Sequence, residues 1–111
     1  VSPMRVISLG TLKRFLDGQK GRRDYVALKA SVESWYAETK RARWQTSHDV
    51  KARYATASIV SAERVVFNIK GNDFRLVVSI SYLHGIVWIK WIGTHKAYDR
   101  IDARSVEHEA D

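Results

Sequence analysis

The chain has 111 residues, 45% of them hydrophobic, with no cysteine and a formal net charge of +7. That length suits one domain around one compact core, and the missing thiols exclude disulfides, thiolate zinc sites and cysteine nucleophiles together. No apolar run approaches the ~18 residues of a membrane span, so the expectation is a cytoplasmic protein without membrane contact. The basic surplus lies in the first half: residues 1–53 carry twelve Lys and Arg against five Asp and Glu, and residues 54–111 carry seven against seven. Such a surface attracts polyanions and gives salt-sensitive affinity for nucleic acid.

Residues 1–3, ahead of Met4, read as an expression scar or an upstream start, and the domain is expected to run from residue 4 to 103. Arg5 to Leu9 is a short β-branched run that suits a strand. A helix follows from Gly10-Thr11, with Leu12, Phe15 and Leu16 on one face, ending near Gly18 or Gly21. From Asp24, a candidate N-cap, to about Arg43, Tyr25, Leu28, Val32, Trp35 and Tyr36 follow helical spacing. Trp44 to Ala62 is polar and irregular, with a weak helical signal between Asp49 and Tyr54, and reads as a long connection.

Residues 64–94 read as a three-stranded meander. A two-residue turn at Gly71-Asn72 pairs Ile69 with Phe74, Phe67 with Leu76 and Val65 with Val78. A second turn at His84-Gly85 pairs Tyr82 with Val87, Ile80 with Ile89 and Val78 with Trp91. Both registers put Val65, Phe67, Ile69, Phe74, Leu76, Val78, Ile80, Tyr82, Val87, Ile89 and Trp91 on one apolar face, because strand side chains alternate. The opposite face then carries the rows Asn68–Arg75–Thr94, Val66–Val77–Ile92, Arg64–Ser79–Lys90 and Ser81–Trp88. Thr94 is expected to cap a helical turn over residues 95–99, and residues 104–111 read as a frayed tail.

Four polar side chains, Arg75, Lys90, His95 and Tyr98, together with the basic balance, suggest RNA chemistry that needs no metal or other cofactor. Cutting RNA that way requires a base for the 2′-hydroxyl, an acid for the leaving 5′-oxygen and a fixed cation for the phosphorane. Imidazole exchanges a proton near neutral pH, so His95 is the candidate for proton transfer. Arg75 has the forked geometry to hold a phosphate. Tyr98, three residues after His95, shares its side of a helical turn. Lys90, about 13 Å along its strand from Thr94, fits a neighbouring phosphate, and Trp88 could stack on a base. Each has a structural alternative: a surface histidine, an arginine paired with Asp73 or Asp99, a packed tyrosine, a tryptophan against a partner protein. Asn68 can donate to a phosphate, although a hydrogen bond within the sheet is its more ordinary use. His48, His84 and His108 have no ligand spacing with each other or with His95, so no metal site is expected. The alternative to an enzyme is a non-catalytic basic RNA-binding module.

The strings FNIKGNDFRLVV and GIVWIKWIGTHKAYDRID resemble the HigB toxins of type II toxin-antitoxin modules, within the RelE-like group of messenger-RNA endonucleases. The likeness is carried by FN, by GN followed by an aromatic and Arg-Leu, and by GTH-x-x-YD-x-I. It is strongest from Val65 to Ala103. It implies an α/β (α+β) RelE-like microbial ribonuclease fold, a mostly antiparallel sheet with the N-terminal helices on one face. The implied function is an endoribonuclease toxin (mRNA interferase) that binds mRNA and ribosomal RNA. A helix-turn-helix antitoxin of the HigA type would neutralise it, and operator DNA would be reached only through that antitoxin. On the resemblance, the phosphate-contacting strand arginine falls on Arg75 and the basic residue after the last strand on His95. Lys96 and Tyr98 occupy the following turn. Asn68 stands where lysine would be convenient, with Lys70 nearby.

Overall fold

The computed structural model describes residues 2–107. In chain order the elements are β1 (Arg5–Ile7), α1 (Leu9–Asp17), α2 (Tyr25–Thr39), α3 (Ser47–Arg53), β2 (Ser58–Ile59), β3 (Arg64–Ile69), β4 (Phe74–Ser81), β5 (Ile86–Thr94) and α4 (His95–Tyr98). The five strands form one sheet in the order β1-β5-β4-β3-β2, and the parallel pairing of β1 with β5 is its one departure from an antiparallel pattern. This is an α+β fold, the class expected from sequence.

Alternation along β3 and β4 sends Val65, Phe67, Ile69, Phe74, Leu76, Val78 and Ile80 to one face, where they meet Leu12 of α1, Leu28, Val32 and Trp35 of α2 and Val50 of α3. Burial of this many aliphatic and aromatic side chains, each worth about 1.5–3 kcal/mol, is what holds the helices to the sheet. Trp44, which polar neighbours made look like part of a loop, is buried and stacks on Phe67 at 6.1 Å with an interplanar angle of 21°. The supposed long connection is therefore anchored, and contains both α3 and β2.

The β3–β4 register is the expected one, closed by a turn whose Asp73 N–H donates to Lys70 O at 3.2 Å. The β4–β5 register differs. Ile80 pairs with Val87 and Ser81 with Ile86, because the connection is the four-residue loop 82–85. There Ser81 Oγ accepts the His84 N–H. Gly85 takes φ +65°, and its carbonyl accepts from Arg5 N–H at 2.8 Å as β1 joins. A two-residue shift preserves which face each side chain occupies, so Val87 and Ile89 remain in the main core.

Beyond Ile89 the parity changes. Val78 pairs with Ile89 but Val77 pairs with Trp91, leaving Lys90 as the extra residue of a β-bulge. Ile92 consequently enters the main core, while Trp91, expected there, turns to the opposite face. The rows on that face become Asn68–Arg75–Gly93, Val66–Val77–Trp91 and Arg64–Ser79–Trp88. This second face holds a small core of its own: Val66, Val77 and Ala103, with Val60, Trp91, Tyr98, Ile101 and Val106 packed around it. Residues 103–107, expected to be partly frayed, lie over the sheet because Arg64 donates to Ala103 O and Val106 O. His108 and the rest of the expected tail, like Val1 of the expected scar, fall outside the described residues.

Candidate active site

At one end of the second face, strand β4, the end of β5 and helix α4 converge. Thr94 Oγ1 accepts the Ala97 N–H at 3.0 Å, the cap expected from sequence. His95 N–H donates to Asp73 O at 2.9 Å, which ties the first residue of α4 to the β3–β4 turn. The short helix is thereby fixed at its start by a side-chain cap and a backbone hydrogen bond. Tyr98, one turn on, places its ring 5.8 Å from the Arg75 guanidinium carbon and 6.3 Å from Trp91. Arg75 also donates to Asn72 O at 3.0 Å and to Phe74 O at 3.4 Å. These contacts go to neutral groups, so the guanidinium charge is held in place without being neutralised by them. Arg75 and Tyr98 are half-buried; His95 and Lys96 are exposed.

Gly93 makes this arrangement possible. It lies opposite Arg75 on β5, and the indole of Trp91 folds back over it so closely that a Cβ would sit 2.5 Å from Cη2. The glycine of the GTH string is thus the seat for Trp91, a role that only the bulge at Lys90 could have revealed.

The remaining sequence candidates are more dispersed. Asn68 lies beside Arg75 in the same row. Lys70 is engaged between carboxylates, at 2.8 Å from Asp73 and 3.6 Å from Asp24. The hydrogen bond to Asp73 raises the Lys70 pKa, and that to Arg22 lowers the Asp24 pKa. Arg22 also stands over the Phe74 ring at 5.1 Å. Lys70 therefore belongs to an ion-pair chain from residue 22 to 73 that braces the turn holding His95. Trp88 is half-buried in the Arg64–Ser79 row rather than exposed. Lys90 pairs with Glu107 at 3.0 Å, and Arg64 with the other oxygen of the same carboxylate at 2.9 Å. Neither Arg64 nor Glu107 stood out in the sequence. Among the described residues no three His, Asp or Glu side chains group as a metal site, and no helix is long and apolar enough to cross a membrane.

Residues 28–101 match the HigB_toxin family, described as the RelE-like toxic component of a toxin-antitoxin system. No curated protein matches the chain. The match spans well over half of the sequence and takes in Asn68, Arg75, Gly93, His95 and Tyr98 together. The chain belongs to the HigB toxin family, and its partner is an antitoxin.

Proposed function

For this HigB-family toxin we propose an endoribonuclease activity that cleaves messenger RNA on the ribosome, in the cytoplasm, without a metal ion. The ribose 2′-oxygen attacks the adjacent phosphorus and the bond to the 5′-oxygen breaks, leaving a 2′,3′-cyclic phosphate and a 5′-hydroxyl. The observation that carries the reading is the placement of the Arg75 guanidinium against Tyr98, one helical turn from His95. A cation pre-positioned by neutral groups stabilises charge that develops on the phosphorane at little reorganisation cost. His95, exposed on a helix anchored at its start, transfers one of the two protons. Tyr98 orients Arg75, and Asn68 and Lys96 lie within the same end of the face to contact flanking nucleotides. The basic surplus of residues 1–53 supplies a docking surface for ribosomal RNA. A helix-turn-helix antitoxin of the HigA type neutralises the toxin and carries it to operator DNA.

The test is end analysis of RNA from translating ribosomes incubated with the protein and a chelator. New 5′-hydroxyl and cyclic-phosphate ends are expected from wild type. His95→Ala and Arg75→Ala, folded and equally expressed, should lose growth arrest and cut at least ~100-fold more slowly. RNA binding without such ends would instead establish a non-catalytic module, and full toxicity of both variants would sink the site assignment.

A further inference from the structure

Arg64 and Lys90 are the two cations of the second face that lie far from Arg75. Arg64 is four residues along β3 from Asn68, the neighbour of Arg75, a separation of about 13 Å at the usual strand rise. The Arg64 side chain is 8% exposed and that of Lys90 22%, yet both point at one carboxylate belonging to an exposed residue. The Glu107 side chain is 56% exposed, and its two oxygens are divided between the guanidinium and the ammonium. One guanidinium nitrogen and an ammonium, each on its own oxygen of one anion, can also hold the two free oxygens of a phosphodiester.

We propose that Arg64 and Lys90 form a second phosphate site for RNA, which the Glu107 carboxylate occupies in the free protein. This rests on the RNA reading above. Arg64 stays in position when Glu107 leaves, because its guanidinium also donates to Val106 O at 2.7 Å and to Ala103 O at 3.4 Å. Lys90 stays because it is the bulged residue of a central strand pairing rather than part of a loop. Glu107 reaches both cations through the tip of a largely exposed side chain, so rotation of that side chain vacates the site. Two cations facing one carboxylate leave a net positive charge, which favours exchange for a nucleic-acid phosphate. A cleft of about 370 Å³, lined by Thr11, Arg14, Trp91, Val106 and Glu107, adjoins the site and gives the displaced side chain and an incoming strand room. The strand would run from Arg75 over the outside of the segment that covers the second core, and reach Lys90 and Arg64 at its far end.

The experiment uses the full chain and a 2′-O-methyl oligonucleotide, which binds without being cut, read by fluorescence anisotropy across a salt series. Glu107→Gln keeps the shape and removes the competing charge. It should bind about tenfold tighter than wild type, with a log–log salt slope steeper by about 0.7, the value for one more phosphate neutralised on a single strand. Adding Lys90→Gln should abolish that gain. In parallel, tripolyphosphate should raise the melting temperature of Glu107→Gln more than that of wild type. A folded Glu107→Gln with neither tighter binding nor added stabilisation overturns the inference, as does a gain that survives Lys90→Gln. Stabilisation by tripolyphosphate with no oligonucleotide binding by either protein supports the anion site while removing its RNA ligand, and the failure then belongs to the proposed function.

Discussion

Replacing Gly93 by alanine tests the packing on which the proposed site depends. The added Cβ would lie 2.5 Å from Cη2 and 2.6 Å from Cζ2 of Trp91, against about 3.5–4.0 Å for carbons in contact. The indole must therefore retreat by roughly 1 Å, and it is not free to do so, since it packs against Tyr98 and the second core. Overpacking of this kind costs about 1–3 kcal/mol, which for a domain near this size lowers Tm by about 4–8 °C per kcal/mol. Thermal unfolding followed by circular dichroism should show a loss of about 5–20 °C. RNA cleavage should fall as well, because Tyr98 is the group that Trp91 would push against Arg75. A double-mutant cycle isolates the cause: in a Trp91→Leu background the clash is gone, so Gly93→Ala should cost little more, giving a coupling of at least about 1 kcal/mol. If Gly93→Ala melts within a degree of wild type, or destabilises equally in both backgrounds, the seat assigned to Trp91 is wrong.

Thr94→Ala removes the side-chain acceptor for Ala97 N–H and should cost about 1 kcal/mol, with faster hydrogen exchange at Ala97; unchanged exchange would mean that the Asp73 contact alone holds α4. Arg64→Met leaves Ala103 O, Val106 O and Glu107 without their common donor, a loss of about 2–4 kcal/mol for charge-assisted bonds. Limited proteolysis should then cut the segment after residue 101 sooner than in wild type, and equal resistance would count against Arg64 as its tether. The hydrogen bond from Lys90, aided by Arg64, holds the Glu107 carboxyl below its ordinary pKa. A depressed carboxylate contributes stability above its unfolded value of about 4.3, lost as pH falls through the lower folded value. The difference in unfolding free energy between wild type and Glu107→Gln, measured by urea titration, should therefore be present at neutral pH and close in acid. A difference that does not change between neutral and acid conditions would refute the pairing.

The parts of the fold that were legible from sequence are those set by local signals that agree with one another. Gly71-Asn72 and the alternating apolar residues on both sides specify the β3–β4 register, and Thr94 ahead of a short helical run specifies its own cap. The β4–β5 register departs from the local turn signal because the loop 82–85 is shaped by a partner remote in sequence: Arg5 N–H donates to the Gly85 carbonyl. The burial of Trp44 escapes the sequence for a related reason. It packs on Phe67 and Tyr54, and no periodicity around residue 44 encodes contacts made 10 and 23 positions away. Within the candidate site, the Tyr98 ring lies against Arg75, whereas the spacing linked Tyr98 to His95, and Lys70 and Lys90 acquire carboxylate partners, Asp24 and Glu107, from other parts of the chain. A sequence locates charges more readily than it locates the countercharges that fold beside them.

The bulge at Lys90 links these findings. Without the extra residue, Trp91 would continue the alternation of Val87 and Ile89 into the main core, and the second face would be left with Val66 and Val77 and little to cover them. With it, Trp91 turns over Gly93 to meet Tyr98, and the ring pair positions the guanidinium of Arg75. The same turn enlarges the apolar patch that Ala103, Ile101 and Val106 cover, so the segment after α4 folds back across the sheet instead of leaving it. Glu107 arrives beside Lys90 as a consequence of that path, and Lys90 is available to it because a bulged residue has no cross-strand partner to crowd its side chain. One inserted residue thus divides the face into an uncovered end, with His95 and Lys96 exposed, and a covered end, where a carboxylate of the chain itself lies between two cations. RNA approaching this surface would meet Arg75 first and would have to displace Glu107 to extend further. On the proposed function, affinity for longer strands would be set at the covered end, and the chemistry at the open one.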